Sequence, residues 1–306
     1  MANGGPRSSR PRIGRPACSP LSRTVPHSGH GPPAVTSPPA GLRKIAEGRQ
    51  AEIYLWGETG VLRLLRNHQG HEGLEREAAA MRAAAGAGVP VPRPGEVVEV
   101  EGRPGLVMER MEGTDLFSVV GRRPWKLRSV AILTGTLHAR LNAIAAPTSL
   151  PPASEHLRGV AAHSPLVPDD LRAPTIETLN RLPAGDRLLH GDFHPGNIMS
   201  SSAGTAIIDW TAACRGEPAA DFANTMVLGR VSPMPPGVSR IAGGIFVVAR
   251  KLLLRYYERA YRDTTTADLS NLDSWVFVCA VARLNDGIPE ERPALLRLIE
   301  ELRPRS

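Results

Sequence analysis

The apolar pattern of this 306-residue chain changes period once, close to Gly113. Ahead of that point RKIAEG, AEIYLW and GVLRLLR cluster or alternate apolar residues around glycine-bearing turns, which predicts a strand meander. EGLEREAAAMRAAAGAG then reads as a helix ended by glycine. VPVPRP forces an extended passage, and PGEVVEVEGRPGLVMERM predicts two further strands. Past Gly113 the periodicity is helical. SVAILTGTLHARLNAI sets Val130, Leu133, Leu137, Leu141 and Ile144 on one stripe, and IFVVARKLLLRYYERAYR, LDSWVFVCAVARL and PALLRLIEELR continue in the same way. A short β insertion at residues 186–210 interrupts the helices. Such an order predicts the α+β class: a small antiparallel sheet with one helix over residues 41–113, then a larger helical part over 114–306.

Residues 1–40 differ from the rest. They hold nine prolines and five arginines but no acid, so they bury too little apolar surface to offset ordering and are expected to be disordered. Those arginines supply most of the formal charge of +7. The remainder is nearly neutral, which argues against a nucleic-acid partner. No apolar run approaches the roughly 20 residues that span a bilayer, so no membrane role is expected. Cys18, Cys214 and Cys279 are too few and too scattered for a disulfide framework or a zinc site. A reducing cytoplasm is the expected compartment.

The β insertion, LLHGDFHPGNIMSSSAGTAIIDW, sets Asp192, Asn197 and Asp209 among residues that favour burial. RLLH reads as a strand and GDFHPG as a loop. NIM and AIID read as strands of a hairpin centred near Ala203, in a register pairing Met199 with Ile207 and Asn197 with Asp209. Opposed residues on antiparallel strands share a face, about 5 Å apart at Cβ. Two hard oxygen donors there, with the Asp192 carboxylate in reach, describe a Mg²⁺ site open to water and phosphate. The third acid is then available to take a proton from an attacking hydroxyl. Two other readings stand beside this one: ordinary turn polarity on a surface hairpin, and a histidine metal site built on His190, Asp192 and His194.

HGDFHPGN, with IIDW placing Asp209 twelve residues after Asn197, resembles the aminoglycoside phosphotransferase and choline kinase-like family. The resemblance runs from about Gly41 to Phe222. It implies a two-lobed protein kinase-like fold and phosphoryl transfer from ATP to a hydroxyl of a small molecule, in a cytoplasmic enzyme. It further implies that Asp192 is the catalytic base, that Asn197 and Asp209 hold Mg²⁺, and that His190 supports the loop. Asp221, in GEPAADFA, would brace that loop from a following helix.

In the first lobe the resemblance assigns the loop bearing Gly48 and Gln50 to the nucleotide phosphates, through backbone amides around residues 49–52. It assigns the backbone of Glu109 and Met111 to the base edge, which does not separate ATP from GTP; ATP is expected. On the predicted helix Leu74, Ala78, Met81 and Ala85 form the apolar stripe, and Glu77 falls on the same inward face. A buried acid needs a cation. Arg63 stands where the family has a lysine, a departure, since a forked guanidinium does not copy an ammonium's point contact. Either Arg63 takes the role or Lys44 supplies the charge. A nucleotide-binding protein with impaired transfer is the competing reading. The acceptor stays open. Asp263, Asp268, Asp273, Asp286, Glu290 and Glu291 form either an acidic cleft for cationic antibiotics or solvated helix faces, and Tyr256, Tyr257 and Trp275 either wall a pocket or fill the core.

Overall fold

The computed structural model describes residues 41–304 except Arg49, Gln69, Ala203 and residues 234–239. The expectation for residues 1–40 lies outside this range. Five antiparallel strands open the chain: β1 (Lys44–Glu47), β2 (Ala51–Trp56), β3 (Gly60–Leu65), β4 (Pro94–Val100) and β5 (Arg103–Glu109), in the order β1-β2-β3-β5-β4. Helix α1 (His71–Gly86) separates β3 from β4.

The sheet has two buried faces because its strands alternate. Leu62 and Leu64 of β3 pack with Tyr54 of β2 on one side. Val61 and Arg63 point to the other, toward α1 and the cleft. Helix α1 is rich in Ala, Glu and Arg, all good helix formers. Its buried side consists of Leu74, Glu77, Ala78, Ala80, Met81 and Ala84. The expected Ala85 is exposed and Ala84 is buried in its place, because the 3.6-residue turn carries the stripe to the neighbouring position near the helix end.

The second part begins with β6 (Thr114–Asp115), α2 (Leu116–Arg122), α3 (Leu127–Asn142), α4 (Ala153–His163) and α5 (Asp169–Arg181). The insertion supplies β7 (Arg187–Leu189), β8 (Ile198–Ser201), β9 (Gly204–Ile207) and β10 (Cys214–Gly216). Helices α6 (Pro218–Val231), α7 (Arg240–Thr264), α8 (Leu272–Arg283) and α9 (Arg292–Leu302) complete the chain. Strands β6, β8 and β9 form a three-stranded sheet, and β7 pairs with β10. Helices α3 and α7 touch closely at Gly135, where a Cβ would lie 2.4 Å from the Tyr257 carbonyl oxygen. Glycine is required there by backbone contact.

One apolar cluster joins the two parts. Leu74, Met81 and Leu106 of the sheet side share it with Leu116, Leu141, Phe193, Ile198, Ile207 and Trp210. The β8–β9 hairpin is thereby fixed against α1 and the sheet. Among the described residues, no helix is long and apolar enough to cross a membrane.

Candidate active site

The hairpin closes one residue away from the expected register. Ile198 pairs with Ile207, Met199 with Ala206 and Ser201 with Gly204, leaving two residues in the turn. Asn197 therefore faces Ile208, whose N–H donates to the Asn197 carbonyl at 2.9 Å. The cause lies in SSSAGT, where small turn residues allow a two-residue closure. A one-residue slip sends every alternate side chain to the other face, so regular alternation would part Asp209 from Asn197. Asp209 departs from regular alternation with a left-handed backbone, φ +61°. This is an uncommon conformation outside glycine that aspartate tolerates better than most. Its carboxylate lies in the cleft with Arg63 and Glu77 and accepts from the Thr211 hydroxyl at 2.9 Å.

Asp192 and Asn197 are joined directly. The Asn197 side-chain amide donates to the Asp192 main-chain oxygen at 2.8 Å and to its Oδ2 at 3.3 Å. The loop ends in a 3-10 turn, Pro195–Asn197, not in wholly irregular chain as expected. His194 Nε2 stands 3.7 Å from Asp192 Oδ2. Gly191 is the tight point of the loop: its φ is +78° and a Cβ would meet the Ala212 carbonyl oxygen at 2.3 Å. Phe193 is fully buried and stacks on His138 with ring centroids 4.1 Å apart.

His190 is fully buried, and burial pushes its pKa down despite the opposing charges of Asp221, Asp192 and Asp209. A neutral ring donates from Nε2 to the Ile208 carbonyl, 3.1 Å away. His190 thus ties the loop to the residue preceding Asp209. Among the described residues no set of three or more His, Cys, Asp or Glu is arranged around a common ion position, which does not support the histidine metal site.

Asp221 sits in α6 beneath the loop and is buried. It accepts from the main-chain N–H of His190 at 2.7 Å and of Gly191 at 3.0 Å. His138 Nε2 and Asn142 Nδ2 of α3 donate to it at 3.0 and 3.1 Å. Burial alone would raise the carboxyl, but His138, His190 and Asn142 outweigh it and hold the group down at about 2. Sequence reasoning missed this layer. His138 also meets the Tyr257 hydroxyl at 2.7 Å, Tyr261 donates to Asn142 at 2.9 Å, and Asn224 and Thr225 hold the carbonyls of Gly191 and Phe193. A signal was present in H-x-x-x-N on α3 and D-F-A-N-T on α6, each placing polar residues on an otherwise apolar face.

Across the cleft, Arg63 Nη1 binds Glu77 Oε2 at 2.7 Å. Burial, with a smaller push from Asp209, moves the Glu77 carboxyl up to about 7; Arg63 opposes this shift. Lys44 lies elsewhere. It binds Glu47 at 2.7 Å and approaches Glu52, an acid also paired with Arg103 at 2.7 Å and Arg66 at 3.2 Å. Glycine 48 donates its N–H to the Ala51 carbonyl at 2.8 Å, closing the β1–β2 turn. The cleft enclosed by these groups has a volume of about 920 Å³. Gly48, Gln50, Glu109 and Met111 line it, and Ile45, Val61, Met108, Met199 and Ile208 give it an apolar slot. Glu109 and Arg110 donate their N–H groups to Arg93 and Thr59. With those two N–H groups engaged, Glu109 and Met111 border the cleft where strand β5 ends.

The donor set suits a hard divalent cation. Asp209 offers a carboxylate at the cleft wall, and the Asn197 amide nitrogen is committed to Asp192, so that its side-chain oxygen is the atom suited to a hard cation. The later acids divide between surface pairs and a buried cluster at Arg283. Asp263 pairs with Arg259, Asp268 caps Ser270 and Glu291 is buried against Arg283. Asp286, paired with Arg283, comes close enough to Asp192 to feel its charge.

A family model described as the phosphotransferase enzyme family matches residues 41–265. Comparison with curated proteins finds no match. Among solved structures, the chain is similar to a thermostable mutant of aminoglycoside phosphotransferase APH(4)-Ia in its apo form: TM-score 0.59, 17% identity, 86% of this chain and 94% of that one. The same mutant background with AMP-PNP and hygromycin B bound gives TM-score 0.59 at 17% identity, covering 86% and 93%. The GDP complex of aminoglycoside 2'-phosphotransferase-IIIa gives 0.52 at 17%, covering 89% and 94%. At these identities the structural likeness speaks for the fold: an antiparallel sheet lobe and a helical lobe in the kinase-like arrangement of those proteins. With the family model spanning most of the chain, the conclusion is that this protein belongs to the phosphotransferase enzyme family.

Proposed function

We propose that this protein transfers the γ-phosphoryl group of a purine nucleoside triphosphate to the hydroxyl of a small molecule, in the cytoplasm. Residues 41–113 act as the nucleotide lobe and 114–306 as the catalytic and acceptor lobe. The observation that carries the reading is the frame joining Asp192, Asn197 and Ile208, which fixes a loop acid beside the strand end that presents Asp209.

Asp192 orients the acceptor hydroxyl and takes its proton as the new O–P bond forms and the bond from Pγ to the β–γ bridging oxygen breaks. The products are a phosphate monoester, a nucleoside diphosphate and a proton held at first on Asp192. Asn197 and Asp209 would hold Mg²⁺, which supplies charge neutralisation on the phosphates when bound. Arg63, positioned by Glu77, presents its guanidinium to the phosphates. The turn of Gly48 and Gln50 covers them, and the Glu109 carbonyl and Met111 amide meet the base. His190 and Asp221 act on the loop, not on substrate. ATP is the preferred donor; an adenine analogue and GDP both occur in similar structures, so GTP is tested beside it.

Asp192→Ala should abolish transfer while leaving nucleotide affinity within about threefold, since the acid acts on the acceptor and not on the donor. Turnover equal to that of the parent would remove the assignment. The competing reading, nucleotide binding without efficient transfer, rests on Arg63 in the lysine position. It predicts bound nucleotide and no Mg²⁺-dependent turnover with any hydroxyl compound.

A further inference from the structure

Asp192 also borders a second cavity, of about 220 Å³, which shares no lining residue with the nucleotide cleft. Leu228 of α6 and Leu253, Leu254 and Tyr257 of α7 form its walls, and Phe117 of α2 stands at its mouth. Phe117 is 49% exposed and stacks on His194, the ring centroids 5.7 Å apart.

The hydroxyls on these walls are engaged within the protein, and His194 adds an imidazole whose Nδ1 accepts the Gly196 N–H. Thr134 donates its hydroxyl to the Val130 carbonyl, Thr225 to Phe193 and Ser232 to Leu228. The Tyr257 hydroxyl is engaged with His138. Asp192 is the one acid among the described lining residues. Arg283 is the one arginine there. Its Nη1 meets Asp286 at 2.6 Å, and its Nε and Nη2 meet Glu291 at 2.8 and 3.0 Å. The guanidinium is therefore held by two carboxylates, and Asp286 also lies within charge range of Asp192.

A polycation brought here would lose hydration against apolar walls whose one lining carboxylate among the described residues is the one the reaction uses, with Asp286 and Glu291 already engaged by Arg283. A polyol would meet wall hydroxyls that already donate elsewhere, leaving its own oxygens under-satisfied. An apolar body meets neither cost. Scaling from an apolar cavity of about 150 Å³ that takes up benzene, this volume accommodates roughly ten non-hydrogen atoms.

We infer that the acceptor is an uncharged hydroxyl compound with a compact apolar body, lodged against Leu253, Leu254 and Phe117 with its hydroxyl at Asp192. This rests on the phosphotransfer reading above and specifies its substrate class.

The test uses the full chain with Mg²⁺ and ATP or GTP. Nucleotide binding is first measured by calorimetry. Release of nucleoside diphosphate is then followed with 2-phenylethanol and cyclohexylmethanol in one panel, and kanamycin, hygromycin B, choline and glucose in the other. The apolar alcohols should raise turnover at least about tenfold over hydrolysis by water and exceed every member of the second panel in kcat/KM, in line with hydrophobic-pocket discrimination. Phe117→Ala, at a half-exposed position that folding tolerates, should raise the KM for 2-phenylethanol about tenfold with a much smaller change in kcat. A higher kcat/KM for kanamycin, hygromycin B, choline or glucose overturns the inference, as does an unchanged KM in Phe117→Ala. Nucleotide binding with no transfer to either panel also overturns it while the nucleotide site stands. Absence of nucleotide binding overturns the underlying reading and the inference together.

Discussion

Asn197 gives its side-chain amide to Asp192 twice, to the main-chain oxygen at 2.8 Å and to Oδ2 at 3.3 Å, while its own carbonyl takes the N–H of Ile208. One residue thereby couples the loop acid to the strand that delivers Asp209. Positioning of this kind matters because a displacement of about 1 Å at reacting groups costs on the order of a hundredfold in rate.

Asn197→Ala should lower kcat by about two orders of magnitude or more and raise the Mg²⁺ concentration needed for half-maximal rate. Steady-state kinetics across a Mg²⁺ titration measures both. A variant with parental kcat and metal dependence would separate Asn197 from the reaction.

The Arg63–Glu77 pair bears on which cation serves the phosphates. Arg63→Ala leaves a buried acid without its guanidinium and should destabilise the fold by about 3–5 kcal/mol, with nucleotide KM raised as well. Lys44→Ala removes a cation tied to Glu47 and Glu52, and its kcat/KM should stay within about twofold of the parent, as for other surface charges away from the site. If kcat/KM collapses in Lys44→Ala and survives in Arg63→Met, the roles are reversed.

Glu77 predicts a pH effect of definite sign. Its carboxyl stands at about 7 in the folded chain against 4.5 as the ordinary value, so the folded state holds the extra proton between them. Stability without nucleotide and metal should be fullest below about 4.5 and fall by about 3 kcal/mol as pH rises to about 7. Urea unfolding from pH 4.5 to 8 reads this out. Glu77→Gln should flatten the curve, and an equal slope in that variant would remove Glu77 as its source.

Asp221 predicts the opposite behaviour at low pH. Its carboxyl is held at about 2 against an ordinary 3.8. Its stabilisation is present above about 3.8 and is lost as pH falls through about 2, an amount near 2 kcal/mol. Asp221→Ala should cost about 3–5 kcal/mol at pH 7, because His138, Asn142 and two loop amides lose their acceptor. Acid unfolding of the two proteins side by side checks both statements.

These residues also show how far the fold was legible. The sheet and α1 were, because alternation in GVLRLLR and a 3.6-residue stripe through Leu74, Glu77 and Met81 are local signals. The pairing of Glu77 with a cation followed from the cost of burying an acid. The hairpin register was not legible: SSSAGT closes equally well around two or three residues, and one residue decides which face Asp209 takes. Its left-handed backbone, between Ile208 and the buried Trp210, has no single-sequence marker. The bracing layer of His138, Asn142, Tyr257 and Tyr261 joins residues 79–119 positions apart, beyond the reach of any local pattern. Residues 153–181 read only as generally helical, since Pro174 lies inside α5 and α4 buries little besides Ala161.

The most direct measurement is Mn²⁺ binding, as a spectroscopic substitute for Mg²⁺, in the presence of a non-hydrolysable ATP analogue, compared among the parent, Asp209→Asn and Asp192→Asn. The account predicts that Asp209→Asn loses nucleotide-dependent metal binding by at least about tenfold, as removal of a charged ligand should, while Asp192→Asn binds metal and nucleotide like the parent yet transfers no phosphoryl group. Metal binding that survives in Asp209→Asn and disappears in Asp192→Asn would contradict it.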